Sequence, residues 1–206
     1  MSSTKNENAG SELVGRLRES TIKNVDVAQF LDGLSHEDRV TAIRAIGAKE
    51  QRKLYDAAEG FAPVRLIELV AGDVPDLGVV RHYGKNSLPF FSQFEKRFSR
   101  APGQDPSAPV ELMGFNFQTM SPITGPGYYV ATEDEKRGEV LVDYRRVPDC
   151  HPEGWPEIRS NERGLGRIVY GFMVDTLRRV SEHVTIGSAS RDGKDTGNWF
   201  VLCREA

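Results

Sequence analysis

Six consecutive residues, His82-Tyr83-Gly84-Lys85-Asn86-Ser87, gather an imidazole, a phenol, an amine, an amide and a hydroxyl around one glycine. They follow a short apolar run, so a loop there would present donors and acceptors to a small molecule. The plainer account is a strand end whose Asn and Ser satisfy turn amides. His183 lies eight residues after Asp175, with Arg178 and Arg179 between them. A hairpin closing over that stretch would bring the carboxylate to the imidazole and make an acid–base pair. A solvated face on which Asp175 pairs with arginine uses the same residues. His82, His183 and Asp175 are therefore the candidate catalytic groups.

Other combinations support less. Cys150 and His151 are adjacent, whereas a thiolate and its base are ordinarily brought together from distant positions. The four histidines, His36, His82, His151 and His183, show neither the i, i+4 helical spacing nor the cysteine companions of a zinc site. No Gly-rich phosphate loop is present, so no cofactor is expected and no metal is assigned.

Groups of this kind need a scaffold. From Ser11 to about Ala58 apolar residues keep helical spacing: Leu13, Val14 and Leu17, then Val27, Phe30 and Leu31, then Val40, Ile43 and Ile46. Ser35 with Asp38 reads as an N-cap, and Gly47 and Gly60 are placed to end helices. Another helical stretch, Val64 to Val70, gives way near residue 76 to β-branched and aromatic residues in alternation. The expected division is a disordered tail over 1–10, a helical segment over 11–75 and a β domain over 76–206.

In that domain strands are expected at Val79–Tyr83, Glu111–Met120, Gly127–Ala131, Glu139–Val147, Arg167–Asp175, His183–Ala189 and Asn198–Arg204. Lys85–Arg100 carries Phe90, Phe94 and Phe98 at four-residue steps, which suits a helix or a kinked strand. Seven to nine short strands in about 130 residues is the size at which a sheet closes around a lumen that holds side chains or one small ligand. Gly114, Gly171 and Gly187 fit a strongly curved sheet. The fold class is thus α+β: short N-terminal helices followed by an antiparallel, lipocalin-like barrel. Asn116 and Gln118, with Tyr144, Tyr170 and Trp199, are the polar and aromatic groups that would orient a ligand if they face inward. Pro148–Gly166 and Ala101–Pro109 would form a rim or lid.

Composition narrows the partners. The net charge is −3 and basic residues form no stripe, which argues against nucleic acid. The polar N-terminus has neither a signal peptide nor a membrane span, and two distant cysteines suit a reducing compartment, so a cytoplasmic location is expected.

Met173-Val174-Asp175-Thr176-Leu177-Arg178-Arg179-Val180, Thr185-Ile186-Gly187-Ser188-Ala189 and Asn198-Trp199-Phe200-Val201-Leu202 resemble the closing strands of bacterial calycin-like, lipocalin-type barrels. The resemblance implies a barrel whose mouth accepts a small hydrophobic molecule. The first expected function is accordingly the binding, without turnover, of a lipid, polyketide or pigment, with His82, Tyr83, Lys85, Asn116, Gln118, Tyr144, Tyr170 and Trp199 as ligand contacts. The second is a cofactor-free isomerase, cyclase or decarboxylase using a barrel histidine as acid or base. The third is an adaptor or homodimer in which residues 11–60 dock a protein partner.

Overall fold

The computed structural model describes residues 2–89, 92–117, 126–159, 161 and 170–206. Among these described residues five helices come first: α1 (Ser2–Arg18), α2 (Asn24–Asp32), α3 (His36–Ala45), α4 (Ala48–Ala57) and the single turn α5 (Leu66–Leu69). Eight strands follow among the described residues: β1 (Val80–Asn86), β2 (Gln93–Ser99), β3 (Leu112–Phe117), β4 (Tyr128–Asp134), β5 (Glu139–Asp143), β6 (Met173–Arg179), β7 (Val184–Arg191) and β8 (Lys194–Arg204). Each strand pairs antiparallel with the next, and β8 returns to β1, so the sheet is a closed barrel. Closure satisfies the backbone groups that an open sheet would leave along its edges. The chain is α+β, helices then barrel, compatible with a lipocalin-like fold.

Alternation sorts the side chains. Val80, Phe98, Leu112, Tyr129, Val140, Val142, Leu177 and Leu202 point inward and form the lumen core. On the opposite faces, Val184 and Ile186 of β7 and Val201 and Cys203 of β8 join Leu13, Leu17, Val27, Leu31, Ile43 and Leu54 of α1–α4 in a second core. The helices therefore cover the outside of the barrel, and their apolar stripes are used there. Among the described residues of 11–60, Val25 is the one large apolar side chain left exposed. Ser35 caps α3 by accepting a hydrogen bond from the Asp38 amide at 3.2 Å. Gly47 is the N-cap of α4 rather than a stop for α3, and α1 already begins at Ser2, within the stretch expected to be a tail.

One end of the barrel is closed. Leu66 and Leu69 of α5, with Val64 and Val70, pack into the lumen core. Strands β1, β3, β5 and β7 end, and β2, β4, β6 and β8 begin, at the other end, the mouth. Ala101–Pro109, expected as a rim, belongs to the closed end because it joins β2 to β3. From the β5–β6 connection Trp155 is laid against the outer faces of β3 and β4, 4.7 Å from the Phe115 ring, and the Tyr128 hydroxyl donates to the Pro156 carbonyl.

Two lumen glycines explain how bulky rings fit inside. A Cβ on Gly187 would meet the Phe200 ring at 2.2 Å, and one on Gly114 would meet Tyr129 at 2.4 Å. The rings occupy the space the missing side chains leave. Gly171, by contrast, is in the turn before β6.

The segment expected as a helix or kinked strand is resolved by register. Lys85 and Asn86 complete β1, and β2 begins at Gln93, with Gly84 opposite Phe94 and Val80 opposite Phe98. Four-residue steps between phenylalanines are two strand periods, so Phe94 and Phe98 share the inward face. Phe90 lies outside the described residues. The Glu139–Val147 expectation is shortened, because the chain turns at Tyr144, and of the Arg167–Asp175 expectation residues 167–169 lie outside the described residues while β6 runs from Met173 on to Arg179.

Candidate functional site: the open end of the barrel lumen

Between Phe94 and Phe98, on the same inward face of β2, stands Lys96. It is 1% exposed and ends amid groups from two other strands and from the turn after β5. Its Nζ donates to Asp175 Oδ2 of β6 at 2.9 Å, to Asn116 Oδ1 of β3 at 3.2 Å, and to the Tyr144 hydroxyl just after β5. Three ammonium protons thus meet three acceptors. Tyr144 in turn accepts from Asn116 Nδ2 at 2.8 Å and donates to Asp175 Oδ2 at 3.2 Å. The ammonium also lies 4.8–5.0 Å from the ring centroids of Tyr129, Tyr144 and Phe200, a favourable placement for a cation facing aromatic rings.

The electrostatics follow from burial. Removal from water pulls the Lys96 pKa down, and the Asp175 carboxylate pulls it back up. Burial and the same carboxylate hold the Tyr144 phenol well above its usual value, so it keeps its proton as a hydrogen-bond donor. Asp175 Oδ1 is buried and has no hydrogen-bond partner among the described residues.

Above this tetrad, towards the mouth, the described side chains leave the lumen unfilled. A cavity of about 430 Å³ is lined by Lys96, Asn116, Tyr144 and Asp175, by Phe94, Phe200, Met173, Tyr170 and Leu88, and nearer the rim by Asn86, Ala189, Arg191, Thr196, Asn198 and Trp199. Tyr170 stacks on Tyr144 with ring centroids 5.4 Å apart, which joins the tetrad to the cavity wall. A mostly apolar cavity with a few fixed polar groups is the usual form of a small-molecule site.

The expected residues divide. Asn116, Tyr144 and Tyr170 line the cavity, and so does Asp175; Trp199 borders it, but alternation along β8 turns its ring to the outer face with Val201 and Cys203, where the Arg52 guanidinium lies 5.8 Å from the ring centroid. Gln118 lies outside the described residues. Tyr83 and Lys85 point out of the barrel instead: Tyr83 faces His36 and Arg44, and Lys85 Nζ donates to the Arg44 carbonyl at 2.7 Å. The polar cluster from His82 to Ser87 is split because it is strand, and alternation sends its members to opposite faces.

The expected Asp175–His183 pair does not form. Asp175 is opposite Ala189, and β6 runs four residues further, roughly 13 Å, before the hairpin. His183 is at the closed end, its Nδ1 3.2 Å from Arg204. Burial and the neighbouring Arg39 and Arg204 charges lower its pKa.

His82 is also at the closed end, facing inward. Its Nε2 lies 3.0 Å from the Leu69 carbonyl of α5, and its ring meets Phe98 edge-on at 4.8 Å. Burial pushes its pKa down to about 4. Because an unfolded histidine titrates near 6.5, the unfolded chain takes up a proton between about pH 6.5 and 4 that the folded chain refuses. The stability linked to this group is complete above that window and is lost as pH falls through it, by up to about 3 kcal/mol. His82→Gln should remove this share of the acid sensitivity, read as the difference in urea-unfolding free energy between about pH 7 and about pH 4.5.

Lys96, Phe94, Met173 and Phe200 are the site residues that the sequence reading passes over. The signal for the first two was the alternation Phe94-x-Lys96-x-Phe98, a charge on an aromatic strand face. Among the described residues no cluster of histidine, cysteine and carboxylate side chains could hold a metal ion, and no helix is long and apolar enough to cross a membrane. Compared with known proteins, the chain matches no family model, and no curated protein resembles it in sequence.

Proposed function

We propose that this protein binds one small, largely apolar molecule in the mouth of its barrel and holds it without turnover. A lipid, a polyketide or a pigment would suit the site. The observation that carries the reading is the 430 Å³ cavity at the open end of a lumen that side chains otherwise fill. Its aromatic and thioether walls favour an apolar body, and the Lys96–Asp175–Tyr144–Asn116 tetrad fixes one end of it.

Holding is favoured over catalysis by where the titratable groups stand. His82 and His183 are at the closed end, away from the cavity, and all three protons of Lys96 are engaged. Docking of a partner through residues 11–60 is the weaker reading, since the apolar faces of α1–α4 are occupied by the barrel.

Native mass spectrometry of freshly purified protein, followed by organic extraction, tests the proposal. A stoichiometric adduct that disappears on denaturation is the expected result. A bare mass that stays bare after incubation with a panel of lipids and aromatic pigments counts against it.

A further inference from the structure

We infer that the site selects a neutral ligand carrying a hydroxyl or N–H group, such as a phenol, enol or alcohol, and reads that group through Asp175 Oδ1 rather than taking up a carboxylate. The inference rests on the binding proposal and deepens it. Asp175 lines the cavity at its base and is 3% exposed. Its Oδ2 receives both Lys96 and Tyr144, whereas Oδ1 receives nothing among the described residues. A buried carboxylate oxygen ordinarily has a donor, because leaving it without one is costly. The group that fills the cavity is the natural source of that donor.

Charge points the same way. Lys96 carries the one buried ammonium of the tetrad, and Asp175 already neutralises it at 2.9 Å. A ligand carboxylate placed here would add a second negative charge beside Asp175 in a site with little water, where like charges repel most strongly. Asn116 and Tyr144 leave no cationic donor in reserve, since Asn116 Nδ2 is directed to the Tyr144 hydroxyl and that hydroxyl to Asp175. Among the described lining residues Arg191 is the other cation, and it is on the rim at the mouth end of β7, two residues beyond Ala189. A carboxylate reader would therefore have to work from the rim, with the apolar body pointing inward. The orphaned oxygen argues for the opposite orientation, polar end down.

Three probes of one shape separate the possibilities: 2-naphthol, naphthalene and 2-naphthoate, titrated into the full chain and compared by dissociation constant. The expected order is 2-naphthol tightest, by about tenfold or more over naphthalene, as a hydrogen bond to a charged acceptor contributes. 2-Naphthoate should be weakest. The double variant Lys96→Met/Asp175→Leu removes the acceptor together with its counter-charge, which avoids stranding either ion. In it the 2-naphthol and naphthalene constants should converge while naphthalene binding persists. Equal binding of 2-naphthol and naphthalene to the unaltered chain would overturn the inference and leave the binding proposal standing. Tightest binding of 2-naphthoate would overturn it by giving recognition to Arg191 or Lys96. Binding of none of the three would remove the binding proposal and the inference together.

Discussion

Lys96→Met is expected to destabilise the folded chain by about 3–5 kcal/mol, the cost of leaving a buried carboxylate without its partner. The variant strands Asp175 in the lumen, and it removes a donor from both Asn116 and Tyr144. Net stabilities of domains this size are about 5–15 kcal/mol, so a loss of that order would bring the unfolding midpoint close to working conditions. The double variant Lys96→Met/Asp175→Leu should recover most of the loss, because apolar replacement of a buried ion pair is often neutral. Equilibrium urea unfolding of the two variants and the unaltered chain measures both effects. A single-variant loss below about 1 kcal/mol would mean that water reaches the pair and screens it, contrary to the burial of both side chains.

Removing residues 1–60 should have a larger effect still. The deletion would strip α1–α4 from the barrel and expose Val180, Val184, Ile186 and Val201, all buried at 0% exposure beneath them. At about 1.5–3 kcal/mol for each fully buried aliphatic side chain, the lost burial is roughly 6–12 kcal/mol, comparable to the whole stability of a domain. Lys85 would also lose the Arg44 carbonyl, and Gln51, buried in α4, would no longer donate to the Lys85 carbonyl. The truncated chain is expected to collect in the insoluble fraction or to show broad, poorly dispersed amide resonances. A soluble, monomeric and folded truncated barrel would contradict this account of the helices and would favour a docking role for them.

The fold was legible where patterns were long. Helical spacing from Leu13 to Ile46 and alternation in β3–β8 come from burial on one face, and a single sequence shows that periodicity directly. The resemblance of 173–180, 185–189 and 198–202 to closing barrel strands pointed to the architecture that β6, β7 and β8 form. The site was legible only in part. Asn116, Tyr144 and Tyr170 were recoverable because aromatic and amide side chains near strands are natural lumen candidates, whereas Trp199 was misassigned because the alternation of β8 turns its ring outward towards Arg52. His82, Tyr83 and Lys85 were attractive as a polar run, yet adjacency along a strand separates side chains instead of gathering them. Asp175 and His183 looked close in sequence, but a strand that continues to Arg179 leaves Asp175 within the lumen and carries His183 to the closed end. Lys96 escaped notice because its partners Asn116, Tyr144 and Asp175 are 20, 48 and 79 positions away, and only barrel closure brings them to one point.

The central claim is that the open lumen is the binding site, and filling it tests that most directly. Ala189 lines the cavity from the inward face of β7, so Ala189→Trp would place an indole in the space a ligand needs. Calorimetric titration of 2-naphthol into the unaltered chain should give one site per chain. In Ala189→Trp the affinity should fall by about tenfold or more while the urea-unfolding midpoint is largely kept. Unchanged affinity in the filled variant would place binding elsewhere and contradict the account.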